Sequence, residues 1–279
     1  MKIVEAARIT EVVKGLCIRA NRDLPEDVQA CLRSGRDAEP WPLAQDTLDK
    51  IIANFELAAS RRLPICQDTG LACVFLEIGA EVHIEGDLYG AINEGVRQGY
   101  QEGYLRKSVV ADPLNRVNTG DNTPAMVYLE VAPGDRLGIT VAPKGFGSEN
   151  MSQIKMLKPS DGEAGVMDFV VSVVKVAGSN PCPPLVVGVG LGGTFDKAAL
   201  LAKKALLRPL GQRNPVAYYR DLEYVLLERI NALGIGPQGF GGATTALSVA
   251  IETMPTHIAG LPCAVNINCH VARHAQEDL

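Results

Sequence analysis

Apolar and polar residues recur along this chain with two periods, one typical of helices and one typical of strands. A stripe of four apolar residues at helical spacing predicts a helix over 42–60, and the first sixty residues as a whole are expected to be helical. The stripe consists of Leu48, Ile51, Ile52 and Phe55. After Pro64 the pattern changes to the turn-rich stretch 66–70, followed by an apolar run that predicts a strand over 73–78. A polar loop is therefore expected at the mouth of a strand.

The rest of the chain continues as a mixture of the two element types. Helices are predicted over 88–104, 162–177, 196–207 and 216–233, and strands over 125–131, 137–141, 185–189 and 247–253. This order lacks the regular alternation of a doubly wound sheet, so we expect an α+β fold. We further expect one mixed, two-lobed domain over 1–279, with a helical N-terminal part at about 1–60 and a mixed β-sheet.

The composition restricts the class of protein. Hydrophobic residues make up 47% of the 279 residues and charged residues 21%, which excludes a disordered chain. The net charge of -5 leaves no basic face for many phosphates, so nucleic acid is not expected as a partner. The charged N-terminal segment is unlike a signal peptide, and no stretch approaches ~18 uncharged apolar residues. We expect a cytoplasmic protein that binds no membrane.

The seven cysteines fall into two groups. Four lie within apolar runs and are typical of small buried side chains, namely Cys17, Cys31, Cys73 and Cys263. The other three lie in polar or proline-rich loops: Ile-Cys66-Gln-Asp-Thr-Gly, Asn-Pro-Cys182-Pro-Pro and Asn-Ile-Asn-Cys269-His. Their odd number and scattered spacing argue against a disulfide framework, and no C-x-x-C pair anchors a metal site. The residues alone thus leave both a metal centre and ordinary thiols open.

A glycine pattern, Gly188-x-Gly190-x-x-Gly193, follows a predicted strand and precedes a predicted helix. The dinucleotide-binding fingerprint has this form, but it usually opens a βαβ unit and needs an acidic residue about 20 positions further on. The alternative is a tight turn that lets a strand and a helix pack closely. A nicotinamide-binding oxidoreductase therefore stays among the alternatives.

Six segments occur in an order that resembles the α subunit, or N-terminal domain, of class I iron-sulfur fumarate hydratases and the related L-tartrate dehydratases. They are the loop around Cys66 and the segments 118–124, 144–150, 180–184, 190–194 and 266–270. The resemblance implies that Cys66, Cys182 and Cys269 hold a 4Fe-4S cluster whose fourth iron has no protein ligand. It also implies an oxygen-sensitive hydro-lyase in which the open iron acts as a Lewis acid on the substrate hydroxyl.

The resemblance also implies a set of substrate contacts. Gln67 and Asp68 match residues that hydrogen-bond the dicarboxylate, although turn chemistry in a tight loop is the alternative for both. Arg106 matches an arginine that forks onto a substrate carboxylate, with a solvated charge as its alternative. Gly147, or its neighbour Gly145, matches a glycine whose backbone lies against the substrate.

His257 resembles a family histidine that reaches the active site of the partner protomer. Its implied role is to orient or protonate a neighbouring acid such as Asp68, because imidazole exchanges protons near neutral pH. The residues Asn118, Thr119, Asp121 and Asn122 would supply hydrogen bonds around the cluster.

The family pattern also includes a second domain, which supplies the catalytic base. We therefore expect this chain to act with a β subunit that carries the base, in an assembly of two α and two β subunits, and to be inactive alone. The expected reaction interconverts (S)-malate and fumarate, with L(+)-tartrate dehydration as the near alternative. A non-catalytic assembly subunit is an alternative of a different class.

Overall fold

The computed structural model describes residues 1–279, which divide into two compact units. The first unit contains residues 1–25, 55–146 and 273–279, and the second contains 26–54 and 147–272. Each unit is thus assembled from separate stretches of the chain. That the whole forms a single domain stays a prediction from the sequence.

Ten β-strands and eight α-helices make up the chain. In chain order they are β1 Lys2–Glu5, α1 Ala6–Arg22, α2 Glu26–Ala38, α3 Pro42–Arg61, β2 Leu71–Gly79, β3 Val82–Glu85, α4 Leu88–Glu102, β4 Met126–Ala132, β5 Leu137–Lys144, α5 Phe146–Glu149, β6 Gln153–Leu157, α6 Gly162–Ala177, β7 Leu185–Gly192, α7 Phe195–Ala205, α8 Ala217–Asn231, β8 Ala246–Met254, β9 Leu261–Asn268 and β10 Ala275–Asp278. Two 3-10 helices occupy Pro159–Asp161 and Pro237–Gly239.

The first unit is built on a four-stranded mixed sheet in the order β10-β5-β2-β4. Strands β2 and β4 are parallel, whereas β5 is antiparallel to both β2 and β10. Alternate residues of β5 are fully buried, as period-2 patterning requires of a half-covered sheet, and they share one core with α1 and α4. The helix α1 lies so close against α4 that a Cβ at Gly95 would come within 2.7 Å of the Thr10 carbonyl oxygen, and glycine avoids this clash.

The second unit has its own four-stranded sheet in the order β6-β9-β7-β8. All eight residues of β7 are buried, which fits a central strand covered on both faces. The helices α6 and α8 contribute to a large apolar core with this sheet, and α7 packs a row of alanines in a separate small cluster. The second unit therefore has helices on both sides of β7.

Two glycines of the dinucleotide-like pattern, Gly188 and Gly190, lie inside β7, whereas Gly193 follows the strand with a φ of 66° in the connection to α7. Gly188 and Gly190 pair with β8 on one side and β9 on the other. A Cβ at Gly188 would collide with the Ala202 carbonyl oxygen, and one at Gly190 with that of Ala198. Both glycines thus let α7 lie close on the strand, as the packing interpretation of the pattern requires, and the turn is confined to the end of the pattern, at Gly192 and Gly193.

The predicted α+β class is confirmed. The segment 255–270, for which the pattern predicted no element, contains β9, and the short strands β1, β3, β6 and β10 were also missed. None of the helices combines the length and the apolar character needed to cross a membrane.

Candidate functional site

The loop 66–70 of the first unit, called the thiol loop below because it carries Cys66, lies between α3 and β2 and folds around Asp68. The backbone N–H of Asp68 points at Cys66 Sγ across 3.4 Å, and its carboxylate accepts from two other backbone N–H groups. The donors are Gly70, at 3.0 Å, and Phe146, at 2.9 Å. Asp68 therefore makes the turn contacts that were the alternative to a substrate contact. These contacts also fix the position of its carboxylate within the thiol loop.

Two buried side chains, Tyr100 and Asn122, hydrogen-bond to the backbone of this loop. The Tyr100 hydroxyl donates to the carbonyl oxygens of Thr69 and Gly70, both at 2.9 Å, and Asn122 donates to Gly70 O at 3.3 Å. Burial raises the pKa of Tyr100 far above its ordinary value, so the phenol stays protonated and keeps donating. The base of the loop is thus rigid while Cys66 itself is only half-buried.

Arg106 is brought to the same loop by its backbone. Thr69 Oγ1 donates to the Arg106 carbonyl oxygen at 2.9 Å, while the Arg106 side chain is exposed. Gln67 is also exposed, and its Oε1 lies 3.6 Å from Cys66 Sγ. The structure therefore places Cys66, Gln67, Asp68 and the chain at Arg106 together in the first unit.

The polar run between α4 and β4 is held by its own side chains. Asn122 is fully buried and accepts from Ser108 N at 2.7 Å. Asn118 donates to Lys107 O and accepts from Gly120 N. Burial works to raise the pKa of Asp121, but hydrogen bonds from the Thr123 amide and hydroxyl hold the pKa below its ordinary value. Of this run, Asn122 contacts the thiol loop directly.

Cys182 and Cys269 both belong to the second unit, where hydrogen bonds tie their loops together. The Cys182 carbonyl oxygen lies 3.0 Å from Nδ1 of His270 and 3.4 Å from its backbone N. Gln238 donates to the Pro183 carbonyl oxygen through both its backbone N, at 2.8 Å, and its side chain, at 2.9 Å. Cys182 is exposed and has a φ of 55°, an uncommon backbone conformation for a residue with a side chain.

Glu149 connects two further segments that carry the family resemblance, 144–150 and 266–270. Its carboxylate accepts from Asn266 Nδ2 at 3.0 Å and pairs with Lys203 Nζ at 2.6 Å. This network anchors the strand β9 that ends just before Cys269. The ion pair and the amide hydrogen bond share the Glu149 carboxylate, so the side chains of Lys203 and Asn266 are held on either side of it in a partly buried space.

The two candidate glycines differ in their surroundings. Gly147 is exposed, and a Cβ there would be 3.8 Å from the Asn180 carbonyl oxygen, an ordinary contact. A Cβ at Gly145 would lie 3.1 Å from Asp68 Oδ2, which is crowded. Gly145 thus keeps space beside the Asp68 carboxylate, and Gly147 presents open backbone.

His257 lies in the connection between β8 and β9 of the second unit. Its side chain is exposed, its Nδ1 accepts from Ala259 N at 3.2 Å, and the neighbouring Ile258 is 92% exposed. The segment therefore presents an imidazole and an apolar side chain to the outside of its unit.

Three of the four cysteines that the sequence predicts to be buried are buried, and Cys31 is the exception. Cys17, Cys73 and Cys263 are buried, Cys31, Cys66 and Cys269 are half-buried, Cys182 is exposed, and none is in a disulfide bond. Neither unit by itself contains three His, Cys, Asp or Glu side chains grouped to hold a metal ion. The donor set itself, three thiols in loops and outside the cores, has the chemistry that iron-sulfur clusters use.

Two residues beside these loops were missed by the sequence reasoning. Arg273 is buried in the first unit and donates from Nη2 to the Asp68 carbonyl oxygen. Gln238 lies in the glycine-rich stretch 236–242, and its backbone φ of 54° belongs to a tight turn against Pro183. The glycine run signals the turn, but nothing in a single sequence separates a buried arginine from a solvated one.

Comparison with known proteins covers almost the whole chain. Residues 10–278 match the family model described as fumarate hydratase (Fumerase). A Methanocaldococcus jannaschii protein named "Putative L(+)-tartrate dehydratase subunit alpha" is 43% identical over 275 residues, 96% of each chain. The L(+)-tartrate dehydratase subunit alpha of Escherichia coli strain UTI89 is 33% identical over 270 residues, 95% of this chain and 89% of the relative. That of strain K12 is 32% identical over the same length.

The family match and the named relatives define the class as a hydro-lyase, an enzyme that adds or removes water. The chain belongs to the fumarate hydratase (Fumerase) family. The resemblance inferred from six short segments is therefore confirmed at the level of the family.

Proposed function

We propose that this chain is the α subunit of a 4Fe-4S-dependent hydro-lyase that interconverts (S)-malate and fumarate. The observation that carries the proposal is the family match over residues 10–278 in a chain whose three loop cysteines lie outside the buried cores. Cys66, Cys182 and Cys269 would hold the cluster, which when bound supplies a Lewis-acidic iron with an open coordination position.

The residues of the thiol loop would bind and orient the dicarboxylate. The exposed Arg106 guanidinium can form two parallel hydrogen bonds to one carboxylate, and Thr69 fixes the backbone from which it projects. Gln67 would donate a hydrogen bond through its amide, and the open backbone at Gly147 allows a substrate to approach closely.

Asp68 and His257 would handle protons in this proposal. The Asp68 carboxylate is held in place by the amides of Gly70 and Phe146, so its orientation is set before substrate arrives. His257 lies on an exposed connection and would serve the site of a partner protomer, where it orients or protonates an acid such as Asp68.

A partner subunit completes the proposed enzyme. The relatives are named as alpha subunits, which supports a β subunit that brings the catalytic base. We propose an assembly of two α and two β subunits, active only when both kinds of chain are present.

L(+)-tartrate is the second candidate substrate, because the curated relatives carry the name of tartrate dehydratase. Tartrate differs from malate by one hydroxyl group on the second carbon. A site that hydrogen-bonds this hydroxyl would reject malate strongly, whereas a site without such a partner would discriminate weakly. The description of the matching family as fumarate hydratase keeps malate first.

The proposal is tested by producing the chain without oxygen, together with a candidate β subunit from the same genome. We expect a brown protein with about four iron atoms per α chain that turns over malate and fumarate. Cys182→Ser should lose the iron and the activity. The matched control is Cys31→Ser, which alters a half-buried helical cysteine and should keep both.

Other results would change the conclusion in defined ways. Turnover of tartrate without turnover of malate would make the second candidate correct. Colourless, iron-free protein prepared without oxygen would reject the cluster and favour a non-catalytic assembly subunit. Activity of the α chain alone would reject the requirement for a β subunit.

A further inference from the structure

Arg273 is a buried cation without a carboxylate partner. Its side chain is 4% exposed, and its one hydrogen bond runs from Nη2 to the Asp68 carbonyl oxygen. The Nε and Nη1 atoms are buried and have no hydrogen-bond partner. Removing a guanidinium from water is costly, and buried charges are normally paired, so this arrangement needs a compensating negative group.

Arg208, whose side chain is 10% exposed, shows what ordinary compensation for a largely buried arginine is in this protein. Arg208 in the second unit reaches the carboxylates of Glu223, at 2.5 Å, and Glu252, at 2.6 Å. It also donates to the Ile251 carbonyl oxygen. Arg273 has a carbonyl contact of the same kind but lacks both carboxylates, so the difference lies in the missing negative charge.

Asp68 does not provide that charge through its side chain. Both of its carboxylate oxygens accept from backbone amides, those of Gly70 and Phe146. The contact with Arg273 uses the Asp68 main chain, whose carbonyl oxygen faces the guanidinium while its N–H faces Cys66 Sγ. One residue thus connects the unpaired cation to the candidate thiolate ligand.

We propose that Arg273 is a positioning residue and the buried counter-cation of the thiolate-bound cluster. This inference rests on the proposed function. The guanidinium holds the main chain of the loop that carries Cys66, and its positive charge offsets the negative charge that thiolates and cluster bring to this unit. A nearby positive charge stabilises the reduced, more negative state of a cluster, so Arg273 would raise the reduction potential.

The experiment compares three variants of the holoenzyme with the wild type. Arg273→Gln removes the charge, and Arg273→Lys keeps the charge but loses the planar fork. Arg136→Gln is the matched control, because Arg136 belongs to the same unit but is exposed and paired with Glu77 and Asp278. The readouts are iron per chain, the midpoint potential of the bound cluster followed by electron paramagnetic resonance, and KM and kcat for malate.

We expect Arg273→Gln to lower the midpoint potential and raise KM about tenfold or more. Arg273→Lys should keep the potential near the wild-type value with a smaller rise in KM, and Arg136→Gln should change neither. An unchanged potential in cluster-loaded Arg273→Gln protein would overturn the inference and leave the proposed function intact. If Arg273→Gln does not fold, the test uses Arg273→Lys, which keeps the charge. A midpoint potential that falls in Arg273→Lys would overturn the inference, because the positive charge would then not set the potential. A wild-type enzyme without iron would overturn both.

Discussion

The carbonyl oxygen of Cys182 lies 3.0 Å from Nδ1 of His270, the residue that follows Cys269. Two loops that are distant in the sequence are thereby held together at the positions of two candidate ligands. Groups that orient metal-binding loops in this way strongly affect how well the metal is retained.

Replacing this histidine should loosen the proposed cluster and leave the fold in place. We expect His270→Ala to release iron to a chelator about tenfold faster than the wild type, because the Cys182 carbonyl loses its 3.0 Å side-chain contact and keeps only the longer contact with the backbone N of residue 270. His83→Ala is the control, since His83 is exposed on β3 of the first unit. Equal release rates in the two variants would show that the contact does not support metal retention.

Asp68→Asn should separate a structural role from a functional one. An asparagine side chain has one acceptor oxygen, so the variant loses one of the two backbone hydrogen bonds. Its NH2 group then faces a backbone N–H, and both groups are donors. We expect a loss of about 1–3 kcal/mol in the free energy of unfolding and loss of turnover. Urea unfolding and a malate assay measure the two effects.

Asp112→Asn is a control for the loss of a turn carboxylate's charge. The Asp112 carboxylate also accepts from two backbone amides in the first unit, those of Leu114 at 2.9 Å and Asn115 at 2.6 Å, but both bonds end on Oδ1, which an asparagine can keep. The variant should therefore lose less stability than Asp68→Asn and retain turnover. If both variants keep full activity, Asp68 acts only in the turn.

The cysteines should differ sharply in reactivity. Burial raises the pKa of Cys17 and of Cys263 to about 12, so these thiols stay neutral and unreactive at pH 8. In iron-free native protein, iodoacetamide should label exposed Cys182 while leaving both unmodified, as mass spectrometry of the peptides can show. In urea all seven should react. Native labelling of Cys17 as fast as that of Cys182 would contradict the described core.

Glu39 should make part of the stability depend on pH. Burial works to raise its pKa, but hydrogen bonds from Ala243 N, Thr244 N and the Thr244 hydroxyl outweigh burial and hold the pKa below its ordinary value. The folded state therefore gains stability above about pH 4.3, the ordinary pKa of a glutamate, and loses it as the pH falls through the depressed value.

Glu39→Gln tests this dependence. The variant should unfold with about 1–3 kcal/mol less free energy at pH 7, and its difference from the wild type should shrink below pH 4. Denaturant unfolding at a series of pH values measures it. A difference that stays constant down to pH 3 would mean that ionisation of Glu39 does not contribute.

Gly190→Ala tests the close packing of α7 on β7. The added Cβ would meet the Ala198 carbonyl oxygen, so the strand or the helix must move, at a cost of about 1–3 kcal/mol or more. Gly211→Ala is the control, because nothing lies within 4 Å of a Cβ there. Equal stability of the two variants would reject the packing role assigned to Gly190.

The fold was predictable where periodicity is strong and less so elsewhere. The helix α3 and the strand β2 have patterns long enough to fix their type, and the structure places both within a few residues of the prediction. The strand β9 was missed because its mostly apolar, buried run contains a proline and lies between an irregular connection and a cysteine loop. The parallel pairing of β7 with β8, two strands far apart in the sequence, cannot be identified from local patterns either.

The site was predictable to the extent that loop thiols differ from core thiols. Cys66, Cys182 and Cys269 stand out in one sequence because they interrupt polar turns, and their shallower burial agrees with this. Arg273 does not stand out, because a lone arginine four residues after a cysteine is usually solvated. It is buried two residues before β10, a strand whose partner β5 lies far away in the sequence.

The first unit is completed by the last residues of the chain, and this order affects how the protein folds during its synthesis. The strand β10, which pairs with β5 in the first unit, leaves the ribosome only after every residue of the second unit. Until then the nascent first unit has an open edge at β5, where another polypeptide could add a strand. Cells that make this protein would need its emerging sheet to be shielded, or translation to be fast, for the whole time between these two strands.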